Sequence, residues 1–109
     1  MNRFSVIYLL RKQYHHTYCA THEEADALLA QLLTQESYKP IGIYDAKTEL
    51  FFWEPIRQNQ YNKASIEKQG KLGDQIIQIA QTLRHHDEVN HGHTNSISQL
   101  LQPDLAELV

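Results

Sequence analysis

The sequence has few features of a secreted or membrane protein. Cys19 is its only cysteine, so the chain cannot form an internal disulfide, which suits a reducing compartment. The N-terminal apolar run, from Phe4 to Leu10, is too short for the core of a signal peptide with its flanks and for a bilayer span. We therefore expect a cytoplasmic protein with no membrane partner.

The sequence also lacks an excess of basic charge and the local motifs of common enzymes. It has 10 lysines and arginines against 13 aspartates and glutamates, which gives a formal net charge of −3. Duplex DNA and anionic membranes require a basic footprint, so this balance argues against nucleic acid as a partner. Glycine-rich phosphate loops and the GxSxG, HExxH and CxxC patterns are missing, so we expect no cofactor. An enzyme without a local motif stays an alternative.

Two short segments have the pattern of strands that are apolar on both faces. Successive side chains of a strand point to opposite sides, and both Phe4 to Leu10 and Leu50 to Trp53 place apolar residues on each side. A sheet built from such strands needs cover on both faces. The chain has few covering elements, which indicates that a further element or a partner shields the sheet.

The clearest local signal is the start of a helix at Thr21. Thr21 can cap the first helical turn, and Glu24 lies three residues later, as in a capping box. Apolar residues then follow at helical spacing and form one predicted buried stripe: Ala25, Leu28, Leu29, Leu32 and Leu33. This spacing predicts an amphipathic helix that ends near Gln35.

Residues 14–20 predict a second strand, because they are rich in aromatic and β-branched residues. The second half of the chain predicts a third and a fourth strand, the fourth containing Leu50 to Trp53, and a long helix. Strands are expected over 40–44 and 50–54, with Gly42 marking the close approach of another backbone or of a large ring. Residues 56–61 are polar and predict a connection. A helix follows over about 63–86, or starts at Asp74 if residues 62–73 form a loop.

Together these segments predict an α+β fold. We expect a four-stranded, mainly antiparallel sheet with two helices in ββα-ββα order within a single domain, residues 1–87. A polar, histidine-containing linker over 88–95 and a short amphipathic helical tail over 96–109 follow. At least one helix packs on one face of the sheet. The C-terminal segment or a second subunit closes the other.

The two-sided apolar strands favour a non-catalytic protein–protein interaction or oligomerisation module. Its partner would be a second copy, in a homodimer, or another protein, because exposed apolar patches usually mark interfaces. The predicted contact residues are large and apolar: Tyr44, Phe51, Trp53, Leu100 and Leu101.

The alternative function is binding of a metal ion or a small ligand. The chain has seven histidines, and the predicted metal ligands are His85, His91 and His93. Zinc would need three or four converging donors, and no recognised ligand spacing is present. A pocket beneath Trp53 is the corresponding small-ligand hypothesis.

Overall fold

The computed structural model describes residues 2–89, which form an antiparallel sheet with helices on both faces. In chain order the elements are β1 (Phe4–Leu10), β2 (Gln13–Cys19), α1 (His22–Leu33), β3 (Tyr38–Asp45), β4 (Leu50–Trp53), α2 (Pro55–Lys63) and α3 (Ile66–Val89). The predicted α+β class and four-stranded antiparallel sheet are confirmed within this range. The ββα-ββα order is wrong, because α2 lies between β4 and the long helix. The predicted tail and residues 90–95 of the predicted linker lie outside the described residues.

The strand order β2-β1-β3-β4 makes β1 an inner strand. Phe4 of β1 lies opposite Cys19 of β2 on one side and opposite Asp45 of β3 on the other. A two-residue turn joins β1 to β2, and both of its residues have positive φ, 54° at Arg11 and 66° at Lys12. This is the backbone of a type I′ hairpin, which usually contains Asn and Gly. The pairing of the strands therefore overrides the local preference of both residues.

Each face of the sheet is covered by a helix of the same chain. On one face, α1 packs on a cluster of Phe4, Val6, Cys19, Ala25, Leu29, Leu32 and Ile43. On the other face, α3 packs on a cluster of Ile7, Leu9, Tyr14, Ile41, Tyr44, Leu72, Ile76, Ile79, Ala80 and Leu83. Val6 and Ile7 thus serve opposite cores, as expected for neighbours in a strand. The expectation that the tail or a second subunit closes the second face is wrong for the described residues, because α3 occupies it.

β3 has an irregular pairing with β1, and next to this irregularity it lies unusually close to β4. Ile7 pairs with Gly42 whereas Tyr8 pairs with Pro40, so Ile41 is an extra residue, as in a β-bulge. A Cβ atom at Gly42 would lie 2.2 Å from the carbonyl oxygen of Phe52. The ring of Phe51 lies almost as close, at 2.7 Å. The predicted close approach at Gly42 is therefore confirmed.

The helix starts follow from local capping. The Thr21 hydroxyl accepts a hydrogen bond from the backbone N–H of Glu24 at 3.1 Å, which confirms the predicted cap of α1. The prediction of a polar connection over residues 56–61 is wrong, because α2 begins at Pro55. Glu54 caps this helix by accepting from the N–H of Ile56 at 2.8 Å, and Pro55 occupies a position where a missing N–H costs nothing.

Candidate binding site

A cleft of about 200 Å³ lies where the end of α1, the start of β3 and the first turns of α2 meet. Its lining consists of Leu33, Tyr38, Lys39, Pro40, Glu54, Ile56, Arg57 and Gln60. Sites for cofactors and drug-sized ligands usually occupy about 300–1,000 Å³. This cleft is smaller, and its size suits one or two side chains of a partner.

The rim of the cleft is apolar and exposed. The exposed fraction of Leu33 is 47% and that of Ile56 is 63%, although both are large aliphatic residues. Leu33 belongs to the stripe that the sequence predicts to be buried, and that prediction is wrong for this last leucine. Leu33 lies beyond the part of α1 that packs on the sheet, and it lines the cleft together with Ile56 of α2.

Arg57 is the most unusual side chain in the cleft. It is only 5% exposed, and its Nε–H donates to the backbone carbonyl of Pro40 at 2.8 Å. Its Nη1 atom is buried and has no hydrogen-bond partner among residues 2–89. Burial lowers the pKa of Arg57, while the charge of Glu54 and the proximity of Tyr14 oppose this shift. The guanidinium remains charged because arginine is not deprotonated in proteins.

The other polar groups of the cleft leave it with one excess positive charge. Glu54 is buried, and its carboxylate is engaged as the cap of α2. Lys39 is exposed on the lining, so Lys39 and Arg57 together outweigh Glu54 by one charge. The Oε1 atom of Gln60 is buried without a partner among the described residues. The site can therefore accept hydrogen-bonding groups next to an apolar group.

A second polar cluster has the residue types of a serine hydrolase triad. Ser5 Oγ lies 3.1 Å from His16 Nδ1, and His16 Nε2 lies 2.6 Å from Asp87 Oδ2. A nucleophilic serine must reach its substrate, yet Ser5 has no exposed surface. Its Oγ also accepts a hydrogen bond from Arg84 Nη1 at 2.8 Å. The cluster is therefore a structural link between the sheet and the end of α3.

The directions of these hydrogen bonds favour a neutral His16. Arg84 can only donate to Ser5, so the Ser5 hydroxyl is free to donate to Nδ1 of His16. Nε2–H then donates to Asp87, so each donor in this series of hydrogen bonds has an acceptor. Burial lowers the pKa of His16, with the charge of Asp87 opposing and that of Arg84 assisting. Both the geometry and the pKa shift agree with a neutral imidazole near pH 7.

The contact residues predicted from sequence lie mainly on the face covered by α3. Tyr44 is almost fully buried, and its hydroxyl accepts from Gln81 at 3.0 Å. Phe51 and Trp53 are half-buried against the α3-side cluster, and Trp53 stacks on Tyr61 with ring centroids 5.2 Å apart. Leu100 and Leu101 lie outside the described residues. Contact of these five residues with a partner stays a prediction. Tyr44 is covered by α3 in the described structure.

Only one of the three predicted metal ligands lies in the described part of the chain. His85 lies exposed on α3, and His91 and His93 lie outside the described range. Between residues 2 and 89, no group of three or more histidine, cysteine or acidic side chains could hold a metal ion. Metal binding by this histidine set stays a prediction. The cleft lining does not include Trp53, so it is not the small-ligand pocket expected there.

Sequence reasoning missed the three residues that define the cleft. Leu33 has the spacing of a core residue, and Ile56 and Arg57 lie in a polar segment without an apolar stripe. One signal was present: an isoleucine directly after Glu54-Pro55 indicates a capped helix with an apolar residue in its first turn. The meeting of α1, β3 and α2 depends on tertiary packing and leaves no local pattern.

Comparison with protein-family models, curated proteins and solved structures found no match for this chain. Over the described part of the chain, no helix combines the length and apolar character needed to cross a membrane.

Proposed function

We propose that this protein is a non-catalytic interaction module whose partner docks on the rim of the cleft. The observation that carries this proposal is the exposure of Leu33 and Ile56 on a shared concave surface. Single exposed apolar residues are ordinary on a protein surface. Two of them lining one cleft with a buried arginine resemble the centre of an interface, where aliphatic contacts surround an Arg anchor.

The lining of the cleft supports binding rather than catalysis. It contains no serine, threonine, cysteine or histidine, and its one lysine, Lys39, is exposed rather than desolvated as a nucleophilic lysine would be. Its one buried carboxylate, on Glu54, is engaged with the N–H of Ile56. A partner would gain affinity from desolvation of Leu33 and Ile56, since apolar burial contributes about 25 cal/mol per Å².

A matched pair of substitutions tests the proposal. Ile56→Glu places a charge on the rim, whereas Ile66→Glu places the same charge on an isoleucine that is 88% exposed and does not line the cleft. In size-exclusion chromatography of extracts from cells that naturally make the protein, wild type and Ile66→Glu should elute in a larger complex. Ile56→Glu should elute at the mass of the free chain. Identical elution of all three proteins would contradict docking at this rim.

The homodimer expected from sequence is tested with the purified full-length chain. Light scattering that gives twice the chain mass, reduced to one chain by Ile56→Glu, would identify a second copy as the partner. A single-chain mass at all concentrations would exclude a second copy as the partner. Self-association that Ile56→Glu leaves intact would place the dimer contact elsewhere.

A further inference from the structure

We propose that the cleft receives an acidic side chain of the partner, whose carboxylate binds Arg57. Leu33 and Ile56 contact an aliphatic side chain that lies on the same side of the partner's backbone. This inference rests on the proposed docking function and specifies its ligand. It is carried by the hydrogen-bonding state of Arg57, by the charge of the cleft and by its size.

Arg57 has unused hydrogen-bonding capacity in a buried place. A guanidinium carries five N–H donors, and only Nε–H has an acceptor among residues 2–89, the carbonyl of Pro40. None of the ion pairs within that range includes Arg57. A buried donor without an acceptor is destabilising, and more so when the group is charged. A carboxylate in the cleft can accept from guanidinium N–H groups that Pro40 does not use, and hydrogen bonds between charged groups are the stronger kind.

The charge of the cleft selects an anion in a protein that is acidic overall. Lys39 and Arg57 face one buried carboxylate, Glu54, which is already hydrogen-bonded to the N–H of Ile56. The excess of one positive charge contrasts with a net charge of −3 for the whole chain. A partner with one carboxylate at this point would balance the cleft, and complementary charge of this kind favours the correct partner.

The shape of the cleft limits what accompanies the carboxylate. Its volume of about 200 Å³ is close to that of seven water molecules in the liquid, at about 30 Å³ each. The non-polar part of the lining comes from Leu33, Tyr38, Pro40 and Ile56, which can contact an aliphatic side chain. An extended segment with an aliphatic residue two positions before an acidic one places both side chains on the same side, and so meets both requirements.

Gln60 defines the main competing ligand, a carboxamide. Its buried Oε1 would accept from an amide N–H, whereas a 180° rotation of its side-chain amide would present Nε2 to a carboxylate. An amide ligand would therefore satisfy Arg57 and Gln60 without rotation. A matched pair of peptides that differ only in carboxylate and carboxamide separates the two cases.

The test titrates the ¹⁵N-labelled full-length chain with N-acetyl-Leu-Ala-Glu-amide and, separately, with N-acetyl-Leu-Ala-Gln-amide, and binding is monitored by NMR. The glutamate peptide should shift the Arg57 side-chain resonance and the amides of Ile56 and Gln60. It should bind about tenfold more tightly than the glutamine peptide, a difference of about 1.4 kcal/mol. Added salt should weaken its binding, since the contact is between charges.

Variants add controls to this comparison. Arg57→Lys keeps the charge but loses the planar fork and should reduce the preference for glutamate. Arg11→Gln removes an exposed cation outside the cleft lining and should leave the preference unchanged. If Arg57→Lys does not fold, the two peptides on the wild-type chain decide the question alone.

The outcomes separate this inference from the proposed function. Equal binding of both peptides at the cleft would overturn carboxylate recognition while leaving the cleft as a docking site. Tighter binding of the glutamine peptide would assign the cleft to an amide and also overturn the inference. No binding, or shifts confined to other surfaces, would overturn it as well, and the comparison of Ile56→Glu with Ile66→Glu would still judge the docking proposal.

Discussion

His16 Nε2 and Asp87 Oδ2 lie 2.6 Å apart and connect strand β2 to the last turns of α3. The two residues are 71 positions apart in sequence. Ser5 and Arg84 extend this contact into a hydrogen-bond network of four side chains. Arg84 also donates to the backbone carbonyl of Asn2 at 2.9 Å. The contact therefore fixes the end of α3 against the sheet in a defined position.

The stability of the fold should decrease as the pH falls below about 6.5. Burial lowers the pKa of His16 and of His15 from their ordinary value of 6.5, so the unfolded chain binds these protons more readily than the folded one. The free energy of unfolding then rises with pH, by up to about 1.4 kcal/mol per pH unit for each proton. Asp45 contributes only below about pH 5, because its bonds to Arg3 lower the pKa of its carboxyl from 3.8 and the carboxyl is ionised in both states above that pH.

Urea denaturation between pH 5 and pH 7 measures this slope. His16→Gln keeps a donor toward Asp87 but removes the titration of residue 16, so it should reduce the slope to the part that His15 contributes. A wild-type curve that is flat or rises toward acid would contradict a buried neutral His16.

Two glycine-to-alanine substitutions should have opposite effects. Gly42→Ala would place a methyl group 2.2 Å from the carbonyl oxygen of Phe52, and we expect a loss of about 3 kcal/mol, the upper end for overpacking. Gly70→Ala meets nothing within 4 Å inside α3, and we expect a gain of about 1 kcal/mol from helix propensity. Thermal unfolding monitored by circular dichroism measures both. A neutral Gly42→Ala would mean that β4 is not held this close to β3.

The sequence was informative wherever a local pattern had one physical cause. The two-sided apolar pattern of residues 4–10 predicted β1 with the observed bounds, and Thr21 predicted the start of α1. Gly42 indicated a close approach because only a missing side chain admits another backbone there. Each of these signals depends on residues within a few positions of one another or on a single steric requirement.

Glycine in the turn between β1 and β2 should stabilise the protein. Lys12 has φ 66°, a conformation that costs a non-glycine residue about 1–2 kcal/mol. Lys12→Gly should therefore stabilise the protein by about 0.5–1 kcal/mol after the larger entropy of unfolded glycine is subtracted. Lys47→Gly is the matched control, because Lys47 has no positive φ and the change should destabilise by a similar amount. Equal effects of the two changes in urea denaturation would contradict the type I′ turn.

Cover of the second sheet face by α3 predicts a strong contrast between two isoleucines. Ile76 has no exposed surface and lies in the α3-side cluster, so Ile76→Ala should cost about 2–5 kcal/mol. Ile66 is 88% exposed at the start of the same helix, so Ile66→Ala should change stability by less than about 0.5 kcal/mol. Denaturant unfolding measures both. A small effect at Ile76 would mean that α3 does not close this face.

Sequence reasoning could not find α2 or the cleft, and the reason is physical. The four residues between Ile56 and Tyr61 are all polar, so no hydrophobic period marks the segment as a helix. Its order comes from the cap at Glu54 and from the bond between Arg57 and the carbonyl of Pro40, 17 positions away. The cap is local, but the contact of Arg57 with Pro40 depends on tertiary packing and leaves no local pattern.

The proposed function requires that a partner docks on the cleft between Leu33 and Ile56. Photo-crosslinking in cells that naturally make the protein tests it most directly, with a benzophenone amino acid at position 33, 56 or 66. We predict one discrete crosslinked species from positions 33 and 56, of the same mass from both, and none from position 66. Crosslinks to the same species from all three positions, or to different species from 33 and 56, would contradict the claim.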